Sequence, residues 1–260
     1  MSSRLPTQDE QAPTTARRLE QLLDGLHSRV RASLLLRYFA AINRILLAIG
    51  FVPTAMVKIL GARFTSEHFT AQDIDNPIGF FFEAMYRTGA YWQFIGWAQA
   101  IGGVLLLIPA ASTLGAVIFF PIILNIFIIT VSLGFSGTPL ITGGMLLANL
   151  FLLCWDWHRL KPILFANPAP VTLPAPAAGS ALATRLERAG YVASTTGGML
   201  VFLWTRTLVP RAMVLPGLGV GLVGALLLAL SLVLHWRGQD RLRARSIRAA
   251  TSTPANLTLD

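Results

Sequence analysis

NRILLAIGFVPTAMVKILGAR, residues 43–63, decides the fold class of this chain. Thirteen residues separate Arg44 from Lys58, and all but Thr54 are apolar, Gly or Pro. At 1.5 Å per residue the steps between the two cations span about 21 Å of helix. A bilayer's hydrocarbon core is about 30 Å thick and takes roughly 20 residues to cross. A helix that spans here carries at least one cation inside the hydrocarbon boundary, where ionisable side chains are costly and face protein or water. Snorkelling of the two long stems to the nearer interface, with structural pairing, is the alternative.

The composition points the same way. Of 260 residues, 54% are hydrophobic and only 13% charged, whereas a soluble domain has about 25% charged residues. The first thirty residues are polar and charged, so span 1 is expected to act as an uncleaved insertion signal. One cysteine, Cys154, leaves no intrachain disulfide, CxxC redox pair or cysteine-based zinc site.

Working outward, residues 1–13 are expected to form a disordered polar tail. Leu19, Leu22, Leu23, Leu26 and Val30 then recur at helical spacing, which predicts an amphipathic helix over about 14–31. Span 1 covers about 33–60, with Pro53 inside it. Asn76-Pro77 reads as a helix start, an N-cap followed by Pro at N1, opening a short interfacial helix that Gly89 ends. Spans 2, 3 and 4 are expected at 91–109, 113–135 and 139–157, joined by short turns and so antiparallel. A Pro/Ala-rich linker at 166–188 separates this core, 33–165, from a two-span appendix at 189–236. Residues 237–260 are expected to be a basic disordered tail. The fold class is all-α: a polytopic transmembrane helical bundle with a four-helix core and two additional C-terminal spans.

Charge orients the bundle. Sixteen Lys and Arg fall on the side holding both termini and the linker, against four on the other side, with Lys58 inside span 1. The positive-inside rule places both termini in the cytoplasm of a bacterial inner membrane. The net charge of +9 then reflects orientation and attraction to anionic lipid at the cytoplasmic face, rather than nucleic-acid binding.

Depth picks out the candidate site. Asn125 and Asn149 fall near the midplane of spans 3 and 4, and Gln99 about 12 Å into span 2. Unpaired amides are costly in hydrocarbon, so the three are expected to face inward and one another, as helix-bridging contacts or as a polar pocket. Lys58 and Glu83 are candidates to pair at the outer end, and Arg44 and Asp156 at the inner end. Gly219-x-Gly221-x-x-Gly224 matches a dinucleotide-binding string but lies inside an apolar span with no preceding strand. Small-residue helix packing, including Gly217-xxx-Gly221, accounts for it. His27, His68, His158 and His235 lack metal-ligand spacing, so no metal site is expected.

The strings RILLAIGFVPTAMVKILG, FFEAMYRTGAYWQFIGWAQAIGGVLLLIP, FFPIILNIFIITVSLGF and MLLANLFLLCWDWHRLK resemble the DoxX-like family of small four-helix bacterial membrane proteins, over residues 37–165. The resemblance implies a four-span bundle with Arg44, Lys58 and Gln99 at family-like polar positions. Founding members are associated with a membrane thiosulfate–quinone oxidoreductase, and relatives with redox-stress complexes. It implies an accessory membrane subunit that presents a pocket for a quinone or lipid headgroup to a redox protein partner, or to a second copy. Arg44, Lys58, Glu83, Gln99, Asn125 and Asn149 are the pocket candidates. No catalytic motif or redox group is encoded, so whether the chain is an enzyme stays open. A small-solute transporter or channel using the same polar track is the alternative.

Overall fold

The computed structural model describes residues 15–64, 75–165, 168–173 and 180–252. Among these every regular element is a helix: α1 (Thr15–Ala32), α2 (Leu34–Ile59), α3 (Pro77–Arg87), α4 (Ala90–Leu107), α5 (Ser112–Ser132), α6 (Thr138–Trp155), α7 (Trp157–Leu164), α8 (Ala181–Thr205) and α9 (Val214–Ser252), with a 3-10 turn at Arg211–Met213. Four segments are long and apolar enough to cross a membrane: Leu34–Ile59, Ser112–Ser132, Thr138–Trp155 and Arg211–Leu242.

The boundaries follow from local chemistry. Ser33 stops α1 and caps α2, its hydroxyl accepting from the Leu36 N–H at 3.4 Å. Asn76 caps α3 by accepting from Gly79 N–H at 3.0 Å, with Pro77 in the first turn, where a missing donor costs nothing. Gly134 and Gly137 both take positive φ, which lets α5 reverse into α6 within a few residues.

α2 is the central element, packing on α4, α6 and α8, while α4–α5 and α5–α6 are adjacent antiparallel pairs. Phe51 of α2 meets Phe119 of α5 edge to face at 4.3 Å, and Leu47, Leu106, Ala116, Ile123 and Leu152 close the core around them. The outer faces are apolar too: Leu140 is 84% exposed and Leu147 68%. Apolar surface on that scale calls for lipid or protein cover.

Three sequence expectations change. Residues 237–252 continue α9 as helix rather than starting a disordered tail. Gly238 alone does not end a helix, and no proline intervenes before Pro254. The expected linker 166–188 is helical from Ala181, where Ser180 supplies an N-cap to Ala183 at 3.2 Å. The C-terminal hairpin α8–α9 is not set apart from the core, because α2 packs directly against both helices. The expected tail 1–13, residues 253–260 and the middle of the 61–90 loop lie outside the described residues.

Candidate functional site

The end of the bundle where α6 meets α7 shows the expected pairing of Arg44 with Asp156. Arg44 of α2 donates to Asp156, the residue joining α6 to α7, at 3.3 Å. Asp156 also accepts from Thr113 Oγ1 at 2.8 Å and Ser112 Oγ at 3.5 Å, and is nearly fully buried. Each added donor lowers the cost of keeping a carboxylate out of water.

The opposite end, where α2 finishes, corrects an expectation. Lys58 does not pair with Glu83. Glu83 takes Arg63 at 2.9 Å and Arg87 at 2.9 Å instead. Arg87 sits one helical turn along α3, and Arg63 just beyond the end of α2, so both forks reach it. Hydrogen bonds from Arg63, then Arg87, hold the Glu83 carboxyl down at about 2. Lys58 points between α2 and α4, its stem against Gly96, where an added Cβ would lie 2.8 Å from Lys58 Cβ. Its Nζ lies 5.0 Å from the Phe64 ring centroid and 5.1 Å from that of Trp92.

The midplane amides separate, contrary to the expectation that they meet. Asn149, fully buried, donates to the Ala116 carbonyl at 3.2 Å and so ties α6 to α5. Gln99 and Asn125 instead line a groove of about 500 Å³ between α3, α4 and α5, with Phe81, Tyr91, Phe94 and Pro121 among its walls. Gln99 is 2% exposed, and its Oε1 has no hydrogen-bond partner among the described residues. Asn125 is exposed on the groove's α5 wall. Equal depth on a helix says nothing about direction: each residue turns the side chain by about 100°.

Two networks escaped the sequence reading. In the first, Lys161 of α7, 1% exposed, is held by Asp24 at 2.6 Å, Glu20 at 2.7 Å and the Ala169 carbonyl at 2.7 Å, clamping α1 under the bundle. Burial pulls the Lys161 ammonium down, but hydrogen bonds from it to Asp24 and Glu20 outweigh that and leave it raised. Beside it the rings of His27 and His158 lie 5.4 Å apart. Burial, then the charge of Arg31, depresses both, His158 to about 4. The i,i+4 spacing of Glu20 and Asp24 on the amphipathic helix was the available signal. In the second, Tyr38 of α2 shares hydrogen bonds with Ser231 at 2.8 Å and His235 Nδ1 at 3.2 Å on α9, while Arg37 bonds Glu187 on α8 at 2.7 Å. No spacing could reveal a contact between residues this far apart in the chain.

A bundle that is all-helical among the described residues, with apolar outer faces and buried polar clusters at each end, is the class of protein these observations define. Over 129 residues, 48% of this chain and 81% of the relative, it is 31% identical to the uncharacterised protein YwoB of Bacillus subtilis (strain 168), and it belongs to that protein's family. No family model matches the chain. No solved structure matches it.

Proposed function

We propose that this chain is a six-span, DoxX-like inner-membrane protein that holds a neutral amphiphile in the α3–α4–α5 groove, as an accessory subunit of a redox-linked membrane complex. Gln99 carries the reading. Its amide is almost fully buried, lines a groove walled by aliphatic and aromatic side chains, and has no protein partner for Oε1 among the described residues. A buried polar group left unpaired costs about 1–3 kcal/mol, which a ligand completing it recovers. The polar lining residues are the amides of Gln99 and Asn125 and the hydroxyl of Tyr91, with no charged group. A head that is neutral and offers both acceptors and donors matches them. A quinol ring meets these terms, a hydroxyl donating to Gln99 Oε1, its flat face against Tyr91 and Phe94 and its apolar tail leaving toward lipid, whereas the oxidised quinone offers acceptors alone. A hydroxylated lipid head uses the same groups.

Three observations support the wider setting. α4 and α8, of 18 and 25 residues, reach about 27 and 37 Å, a length that supports reading them as two further spans. The charge asymmetry supports cytoplasmic termini, and the DoxX-like resemblance supports the redox link and a redox partner or second copy. A transporter or channel needs a polar track, and it has less support. Asn149 Nδ2 is bonded to Ala116, its Oδ1 is buried without a partner among the described residues, and Leu106, Phe119 and Ile123 pack the core tightly around it, leaving no continuous polar track there.

The test is lipid extraction from the intact protein purified in mild detergent. A quinone or one lipid class should be enriched over bulk membrane, and Gln99→Leu should cut retention about tenfold, the weight of one good hydrogen bond. Bulk lipid composition in the wild type, or retention unchanged by Gln99→Leu, refutes the reading. Orientation is checked by labelling Asp73→Cys in a Cys154→Ser background from outside the cell.

A further inference from the structure

The outer end of α2 holds a second site, separate from the groove. Lys58 is 6% exposed, and no carboxylate among the described residues lies within ion-pair distance of it. Around it are rings: Phe64 and Trp92 both lie within cation–π range of Nζ. Rings attract an ammonium but accept none of its three N–H bonds as a carboxylate or phosphate oxygen does. A second cation shares the same Phe64 ring, the Arg206 guanidinium at 5.1 Å, and its charge opposes that of Lys58. Arg206 Nε is itself buried with no hydrogen-bond partner among the described residues. Two like charges have thus been brought together, each with donors unspent, and the nearby Glu83 is committed to Arg63 and Arg87.

A fold gains nothing from gathering a buried lysine and a half-buried arginine unless something negative completes them. We propose that Lys58 and Arg206 form a binding site for a phosphate-type oxyanion at the end of the bundle where α2 finishes and α4 begins. Nζ supplies a point charge and the guanidinium a planar fork, the combination suited to a tetrahedral oxyanion. Phe64 spaces the two cations, and Trp92, anchored by its own Nε1 bond to the Ala62 carbonyl at 2.9 Å, walls the α4 side. A lipid phosphate and free phosphate present the same chemistry to these groups. The inference stands on Lys58 and Arg206 and not on the occupant of the Gln99 groove.

The experiment uses the full chain in detergent, reading thermal unfolding and the fluorescence of the tryptophans. The probes are inorganic phosphate against chloride at matched ionic strength, and phosphatidylglycerol against diacylglycerol, which lacks the phosphate. Stabilisation by phosphatidylglycerol alone assigns the site to a lipid headgroup, and stabilisation by inorganic phosphate as well assigns it to the free ion. In either case Lys58→Gln and Arg206→Gln should each weaken binding about tenfold, the loss of one charge-assisted hydrogen bond, while Lys58→Arg keeps it. The proposal fails if neither probe stabilises the wild type over its control, or if both glutamine variants respond as the wild type does. It fails too if no probe acts and Glu67→Gln or Asp73→Asn lowers the melting temperature as Lys58→Gln does, for the counter-ion is then intrachain.

Discussion

The α8–α9 hairpin is held by glycines, and a single methyl group tests it. At Gly197 an added Cβ would lie 2.5 Å from the Gly217 carbonyl oxygen and 2.5 Å from Gly221 Cα, and closer still to the Gly221 nitrogen. Ordinary contact begins at 3.4 Å, so the helix backbones must part by most of an ångström. No rotamer change relieves this, because every opposing atom is backbone. Overpacking typically costs about 1–3 kcal/mol, and a backbone-on-backbone clash belongs at the top of that range. Alanine returns about 0.5–1 kcal/mol through helix propensity. Gly197→Ala should therefore lose about 2 kcal/mol net. Gly219, two residues from Gly221 on α9, is the control, since its Cβ would meet nothing within 4 Å. Gly219→Ala should be neutral or gain the propensity term. The assay is reversible unfolding in mixed micelles, with fluorophores on the outer ends of the hairpin reporting separation. If the two alanine variants fall within about 0.5 kcal/mol of each other, the close packing of α8 on α9 is wrong.

Two further predictions concern the end of the bundle where α1 and α7 meet the core. The docked His158 is held neutral, at about 4 against an ordinary 6.5, so α1 docking is at full strength above 6.5 and is lost as the pH falls toward 4. The Glu20 carboxyl is held below 4.5 by its hydrogen bonds from Lys161 and the Ala169 N–H, which adds a further loss below that value. Hydrogen exchange of the α1 amides, corrected for intrinsic rates, should show protection falling across that window, with a flatter profile in His158→Phe. Protection that is flat from about pH 7.5 to 4.5 refutes it. Asp156→Asn leaves Arg44 facing a neutral amide with its side chain only 15% exposed, and should cost about 3 kcal/mol in unfolding free energy. The double replacement Arg44→Met with Asp156→Leu should recover most of that; if it is as damaging as the single change, the pair is not what Asp156 contributes.

Much of the fold was legible because its signals are local. The apolar run after Arg44 and the Asn76-Pro77 helix start each act within a few residues, and each falls where the structure has a helix or its first turn. The Gly217-xxx-Gly221 reading also holds, since both face Gly197. The stop of α9 was misread because a run of arginines looks solvated whether it is helical or not. Charge reports exposure, and only Gly or Pro would have reported an end.

The site was legible in height and illegible in azimuth, and that difference locates what matters. Depth counting placed Lys58 and Glu83 at one level, and Gln99, Asn125 and Asn149 near another. Folding then sorted them by direction, giving Glu83 two arginines and Asn149 a carbonyl. Arg44 and Asp156 agreed in both coordinates because α2 and α6 are packed neighbours and the pair lies on their shared side. Lys58 and the Gln99 carbonyl oxygen are left without hydrogen-bond acceptor or donor among the described residues. Lacking a partner does not single them out, since Asn149 Oδ1 and Asn43 Nδ2 are also buried without one among the described residues. Their settings do: Gln99 lines a groove, and Lys58 shares the Phe64 ring with a second cation, Arg206, which is the physical reason for seeking ligands at those two places.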